Sequence, residues 1–200
     1  MRYGNQGVWT DVRTKGISPK DSRNQNAFGD GKYDQSTFPG ATVLEVGRVD
    51  LSNLPSSELT EVELLRQYLD KDHAYRHGKE KFPARGILYD GLGFFGGEML
   101  AASGWRNLAT LFGSRVTQVA ALEFLPELKR SRFLFGYACG PGTYTSLAGV
   151  GTTIEMFSGN SSPVFSMLFG SYFGDWDTTD NFLRAQLAVK EGGLTSCWVG

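Results

Sequence analysis

Short apolar segments rich in β-branched residues alternate with helix-like segments over most of this chain. The predicted strands cover residues 41–46, 85–89, 132–137, 163–169 and 194–199. The predicted helices cover residues 56–77, 98–112, 120–130, 150–157 and 180–190. Because strands and helices alternate in this way, right-handed crossovers between parallel strands are favoured. We therefore predict an α/β fold with a mainly parallel sheet and helices on both of its faces.

The segment 56–77 carries the strongest helix signal. Thr60 and Glu63 have the spacing of a capping box, in which the two residues satisfy backbone N–H groups of the first turn. An apolar stripe at i, i+3 and i+7 predicts the buried face of this helix. The stripe consists of Val62, Leu65 and Leu69, widened by Leu64 and Tyr68. His73 and His77 lie near the other end, where the helix dipole favours positive charge.

The composition excludes several classes of function. With 200 residues the chain is long enough for one domain with a sizeable core. Its 20 basic and 21 acidic residues leave a net charge of −1, so no nucleic-acid partner is predicted. No apolar run reaches the roughly 18 to 20 residues of a membrane helix, and the polar N-terminus lacks the apolar segment of a signal peptide. The two cysteines have no metal-ligand spacing, so we predict no metal and no cofactor.

Residues 1–40 differ in composition from the rest of the chain. They are rich in Gly, Asn, Asp, Ser and Lys, so we predict an irregular leader before a domain at residues 41–200. Within the leader, Asp30 and Asp34 flank a Gly turn that suits a calcium ion, although a solvated turn explains the same residues. The final predicted strand has nothing after it, so we expect the domain to be truncated and part of a larger chain.

The ends of the predicted strands indicate where a ligand would bind. In open α/β sheets this is the crevice beyond the carboxyl ends of the strands, here the loops at residues 90–97, 139–146 and 170–177. Glycines in these loops would let backbone N–H groups approach a ligand or an oxyanion. The predicted binding residues are Asp90, Gly140, Gly142, Gly170, Gly174 and Asp175. The alternative is that these residues only turn the chain.

The order of several motifs resembles that of a peptidase family. The motifs are Gly47-Arg48-Val49, the helix at 56–77, Ile87-Leu88-Tyr89-Asp90, Tyr137-Ala-Cys-Gly-Pro-Gly-Thr143, Ser171-Tyr-Phe-Gly-Asp-Trp176 and Asn181-Phe-Leu-Arg-Ala-Gln186. Through them, residues 41–190 resemble the gingipain-type cysteine peptidases. The resemblance implies a caspase-like α/β fold. It also implies a catalytic histidine in a Tyr-x-Gly-His-Gly-Ser turn and a nucleophile in a Cys-x-x-Gly-Asp/Arg-Phe turn.

Both catalytic positions of that family are replaced in this chain. Pro141 stands at the expected histidine position, or Cys139 or Gly140 if the gap is placed differently. Ser171 stands at the expected nucleophile position. Proline has no titratable group, and a cysteine or serine nucleophile needs a base or a cationic neighbour. The mechanism of the family therefore cannot simply be transferred to this chain.

Two residues are candidate nucleophiles. Cys139 follows a core strand and would need His73 or His77 as its base, whereas the alternative is a buried, unreactive cysteine. Ser171 lies at the better-supported motif position with Asp175 nearby, whereas the alternative is a turn residue bonded to local backbone. Sequence alone leaves both alternatives open.

Three functions are consistent with these features. The first is a gingipain-like domain without peptidase activity that binds a peptide or protein ligand, as a module of a larger secreted or cell-surface bacterial protein. The second is an active cysteine- or serine-type hydrolase that uses Cys139 or Ser171. The third is an unrelated doubly wound domain that binds a small anion at residues 140–142 and 170–174, although neither loop has a dinucleotide fingerprint or a phosphate-loop lysine.

Overall fold

The computed structural model describes residues 47–93 and 100–198, and Val49–Gly200 forms one compact unit. The predicted leader at 1–40, its candidate calcium loop and the predicted strand at 41–46 lie outside the described residues. The described elements are α1 (Glu61–Arg76), β1 (Gly86–Asp90), α2 (Leu100–Phe112), β2 (Val116–Val119), α3 (Phe124–Arg130), β3 (Phe135–Cys139), β4 (Gly142–Thr143), β5 (Ser146–Leu147), β6 (Gly151–Thr152), α4 (Thr153–Gly159), β7 (Phe165–Phe169), α5 (Phe182–Ala188) and β8 (Thr195–Trp198).

Five of these strands form a parallel sheet in the order β2-β1-β3-β7-β8. Helices pack on both faces. One core joins strand residues to α3, α4 and α5, and it includes Ile87, Ala138, Leu168, Phe124, Met156 and Phe182. The core on the other face joins α2 to the sheet, and it includes Leu88, Tyr137, Leu108 and Phe112. The predicted α/β fold with a mainly parallel sheet is confirmed.

Helix α1 has the predicted cap but not the predicted buried face. Thr60 and Glu63 form the capping box, and the helix therefore begins at Glu61 instead of near residue 56. The predicted stripe is largely in solvent, because Val62, Leu65 and Leu69 are 65%, 44% and 56% exposed. Only Leu64 is buried in this helix, where it packs with Leu51, Leu54 and Leu187. The prediction is correct for Leu64 and Tyr68 but wrong for the rest of the stripe, because α1 packs against α5 through these two residues and the partly polar side beside them.

The polar side of α1 contacts the end of α5 through hydrogen bonds. Gln67 Nε2 donates to the carbonyl of Ala188 at 2.8 Å. Lys71 Nζ donates to the carbonyls of Leu187 and Val189, both at 2.7 Å. Carbonyl groups at a helix C-terminus have no partner within the helix, so they attract donors from elsewhere. These contacts decide which side of α1 faces inward.

The segments around the middle of the sheet also differ from the predictions. Strand β3 runs two residues beyond the predicted end at Tyr137, so Cys139 is the last strand residue and is completely buried. The predicted loop at 139–146 contains β4 and part of β5, which pair with β6 in a small antiparallel sheet. Edge strand β2 was not predicted, because two of its four residues are polar. Helix α4 begins at Thr153, after a capping box formed by Thr152 and Glu155.

Candidate functional site

The rim of the sheet at the carboxyl ends of β1, β3 and β7 is the candidate site. Asp90 and Cys139 are paired across β1 and β3, and Cys139 is paired with Phe169 across β3 and β7. From β1 the chain moves to β2 on one side of the sheet, and from β3 it moves to β7 on the other. Such a reversal of strand order opens a crevice at the strand ends. Asp90 and Cys139 therefore lie at the position where open α/β sheets bind ligands.

The two predicted glycine turns touch each other at this rim. Gly140 N donates to the carbonyl of Phe169 at 3.1 Å. A Cβ atom at Gly142 would lie 2.7 Å from Ser171 N and 2.8 Å from Gly170 Cα. Only glycine allows the two backbones to approach so closely. The turns at 140–142 and 170–174 thus form one continuous surface, as the parallel strand order predicts.

Cys139 lies under this surface and is held as a neutral thiol. Its Sγ lies 3.4 Å from Asp90 Oδ1, which also accepts from Leu92 N at 2.8 Å. Burial, together with the hydrogen bond and the negative charge of Asp90, raises the pKa of Cys139 to about 12. Reactive cysteines have a lowered pKa and partial exposure. The surroundings of Cys139 have the opposite effect and disfavour its thiolate.

The chain has two histidines, His73 and His77, and both lie at the end of α1. Between them in sequence, Tyr75 packs its ring against Phe165, with ring centroids 6.0 Å apart. Phe165 begins β7, whereas Ser171 follows the end of β7. A strand rises about 3.3 Å per residue, which separates the two ends of β7 by about 13 Å. The histidines therefore lie at the opposite end of the sheet from Cys139 and Ser171.

Exposed aromatic side chains flank the glycine surface. Tyr144 and Tyr172 are 41% and 56% exposed, and their ring centroids lie 4.8 Å apart. Trp176, four residues after Tyr172, is 40% exposed. Tyr172 has a φ of +67°, a left-handed conformation that is uncommon for tyrosine. The fold thus holds an aromatic pair in solvent beside Ser171.

The turn that carries Tyr172 is held in place by Phe182, the first residue of α5, and by Asn181, the N-cap residue before it. Phe173 is completely buried against Phe182, with ring centroids 5.5 Å apart. Asn181 Nδ2 donates to the carbonyls of Phe173 and Asp175 at 3.4 and 3.3 Å, while its Oδ1 accepts from Arg184 N at 3.1 Å. Asparagine before a helix is a typical N-cap, so the sequence contains a signal for this residue that we did not use.

A second residue missed from sequence, Arg184, connects distant segments around the turn. Its side chain is almost completely buried and forms an ion pair with Asp50 at 3.3 Å. It also donates to the carbonyls of Ser52 at 2.7 Å and Thr178 at 2.6 Å. A guanidinium group has five N–H donors, which suits such a multiple contact. Arg184 supports the rim but does not line it.

The remaining predicted site residues have local contacts. Asp175 N donates to the carbonyl of Tyr172 at 3.1 Å, and the carbonyl of Asp175 accepts from Thr178 N at 3.1 Å. Gly174 is exposed and lies between Phe173 and Asp175. Gly140 and Gly170 are buried beneath the surface. These residues shape the rim through their backbones.

Comparison of the chain with protein-family models, with curated proteins and with solved structures finds no match in any of the three. The resemblance to gingipain-type peptidases therefore stays a prediction. Within the described residues, no group of three or more His, Cys, Asp or Glu side chains is arranged to hold a metal ion. None of the described helices combines the length and the apolar character needed to cross a bilayer.

Proposed function

We propose that this chain is a gingipain-like domain without peptidase activity, which binds a peptide or protein ligand at the rim formed by residues 140–144 and 170–176. One observation carries the proposal. The two candidate nucleophiles lie at one end of the sheet, while both histidines lie at the other. A nucleophilic serine or cysteine requires a base within hydrogen-bond reach.

The aromatic pair supports a binding role for the same surface. Aromatic side chains bury a large area with few rotatable bonds, and they are enriched where proteins bind partners. Tyr144 and Tyr172 are both exposed. The fold holds Tyr172 in this exposed position through an uncommon backbone conformation. Backbone groups exposed by the neighbouring glycines would add hydrogen bonds to an extended peptide.

The same proposal implies that the domain belongs to a larger protein. A gingipain-like domain without a catalytic dyad would act as a binding or structural module of a larger bacterial protein. That protein would be secreted or attached to the cell surface. Detection of the full-length protein in culture medium or on intact cells, with an antibody against the domain, tests this part independently.

The binding proposal is tested with a pool of casein-derived peptides. We expect no cleavage of fluorescent casein by the domain, but retention of a subset of the peptides on the immobilised domain. A Tyr144→Ala/Tyr172→Ala variant should lose this retention. Trp105→Ala is the matched control, because Trp105 is 45% exposed and belongs to α2, outside the rim segments 140–144 and 170–176. Equal retention by both variants would refute the assigned surface.

An active hydrolase that uses Ser171 is the second candidate. Ser171 is exposed two residues after the end of the interior strand β7 and touches Gly142 across the rim. A fluorophosphonate probe labels activated serines, so it distinguishes the two functions. Labelling that disappears in Ser171→Ala would establish the hydrolase and exclude the inactive domain. Absence of labelling in the folded protein is the result that our proposal predicts.

A further inference from the structure

A groove along α1 lies apart from the rim and contains an unusual lysine. The groove has a volume of about 470 Å³, within the range of small-molecule sites in proteins. It runs between α1 and the segment that leads into β8, and its apolar lining includes Leu59, Ala74, Tyr75, Phe82 and Leu194. Lys71 also lines it and is partly buried.

Among the described residues, Lys71 has no carboxylate partner. Its Nζ donates to the carbonyls of Leu187 and Val189, and it lies 5.6 Å from the ring centre of Tyr68. An ammonium group has three N–H donors, and among the described residues the third has no acceptor. Burial alone lowers the pKa of Lys71 to about 7. The two carbonyls therefore match only two of the three donors of a charged Lys71.

Most of the acidic residues of the groove form hydrogen bonds or ion pairs with residues other than Lys71. Glu63 accepts hydrogen bonds from the backbone and side chain of Thr60, at 2.8 and 2.6 Å. Arg132 binds both Glu80 and Glu191, each at 3.1 Å. Asp70 is the remaining acid of the groove, and it is exposed.

The cations of the groove, in contrast, have no carboxylate partner in the described part of the chain. Arg66 and Lys190 line the groove with Lys71, and none of the three forms an ion pair with a described residue. The charge of Arg66 has only the smallest of the effects that lower the pKa of Glu63, after the hydrogen bonds of Thr60. The groove therefore combines an apolar lining with three available positive charges.

We propose that this groove binds a small organic carboxylate with an apolar body, whose carboxylate group pairs with Lys71 and is supported by Arg66 and Lys190. The apolar part would lie against Tyr75, Phe82 and Leu194. The carboxylate would supply the acceptor that the third N–H of Lys71 lacks. This site is independent of the rim and of the proposed peptide binding.

Titration calorimetry with octanoate tests the proposal, with octylammonium and octanol as matched controls. Octanoate should bind saturably at pH 6.5, and at least tenfold more tightly than either control. Affinity should fall up to tenfold per pH unit between pH 7.5 and 9, because the carboxylate stays ionised while Lys71 loses its proton. The other charged groups that line the groove with Lys71 are Glu63, Arg66 and Asp70 on α1, and Glu80, Lys190 and Glu191 from the facing segments.

Variants assign the binding to these residues. Lys71→Met should reduce octanoate affinity at least tenfold. Because this change also leaves two carbonyls without a donor, two exposed substitutions serve as a second test. Lys190→Gln should weaken octanoate binding several-fold, and Asp70→Asn should strengthen it. The proposal is overturned if octanoate does not bind saturably, if octylammonium binds as tightly, or if Lys190→Gln and Asp70→Asn leave the affinity unchanged.

Discussion

Burial has opposite consequences at the rim and in the α1 groove. At the rim, burial and Asp90 raise the pKa of Cys139 to about 12, so the thiol is neutral and unreactive at physiological pH. In the groove, burial lowers the pKa of Lys71 to about 7, so the amine changes charge near neutral pH. Loss of solvation disfavours the charged form in both places. In cysteine the charged form is the nucleophile, so burial leaves the rim without a reactive thiolate. In lysine the charged form is the cation, so burial gives the groove an amine that titrates near neutral pH.

This difference explains why the two regions suit different ligands. The rim offers backbone groups and the rings of Tyr144 and Tyr172, without a charged nucleophile. The groove offers a cation whose charge a ligand can stabilise. A residue's type therefore predicts its chemistry only when its surroundings are known.

The largest expected effect comes from Lys71. Its pKa is about 7 in the folded protein and 10.5 without the fold, so between these values only the unfolded state retains the proton. The unfolding free energy should therefore rise with pH in this window, by at most about 1.4 kcal/mol per pH unit. Urea denaturation of Lys71→Met should lack the rise, whereas the exposed control Lys79→Met should retain it. If the difference in unfolding free energy between the wild-type protein and Lys71→Met does not change with pH, the pKa of Lys71 is not lowered.

The second prediction concerns the contact between the rim turns. Gly142→Ala places a Cβ 2.7 Å from Ser171 N, and backbone on both sides cannot move easily. Overpacking of this kind costs about 2 kcal/mol of unfolding free energy. Gly47→Ala is the control, because a Cβ there has no atom of another described residue within 4 Å. Equal denaturation midpoints for the two variants would show that the turns are not in contact.

A smaller effect of opposite sign is expected from Cys139. Its pKa is about 12 in the folded protein and 9.0 without the fold, so above pH 9 only the unfolded state ionises. The wild-type protein should therefore lose about 1 kcal/mol relative to Cys139→Ala between pH 9 and 10. Denaturation curves at the two pH values measure the difference. If the unfolding free energy of Cys139→Ala falls as steeply between pH 9 and 10 as that of the wild-type protein, the pKa of Cys139 is not raised.

The smallest effect should come from the side of α1 that faces away from the groove. Leu65 is 44% exposed, so Leu65→Ala should change the unfolding free energy by less than about 0.5 kcal/mol. Its neighbour Leu64 is 1% exposed and is the matched control, with an expected loss of about 2–5 kcal/mol on truncation to alanine. Similar losses of unfolding free energy for both variants would mean that Leu65 is not exposed in solution.

The sequence predicted those features that depend on local patterns. The alternation of strands and helices, the cap at Thr60 and the shared rim of the two glycine turns follow from spacing and from the geometry of parallel sheets. Each needs only the residue types within a short segment, or the order of such segments.

The features that were missed depend on contacts between distant segments. Lys71 faces inward because carbonyls at the end of α5, more than a hundred residues away, accept its hydrogen bonds. Cys139 is buried because β3 continues beyond Tyr137 and pairs on both sides. Arg184 is buried because oxygen atoms of Asp50 and Ser52, more than a hundred residues away, accept its hydrogen bonds together with the nearby Thr178. No periodicity within one segment contains this information.

Alkylation of the two cysteines tests the account most directly. Cys197 is exposed and Cys139 is buried, so the chain carries its own control. The native protein is treated with iodoacetamide at pH 8, and labelling of each cysteine over time is measured by peptide mass spectrometry. We expect Cys139 to react at least a hundredfold more slowly than Cys197, and at a similar rate only after unfolding. If native Cys139 is labelled as fast as Cys197, its thiol is not buried and neutral. Cys139 would then be a candidate nucleophile at the rim.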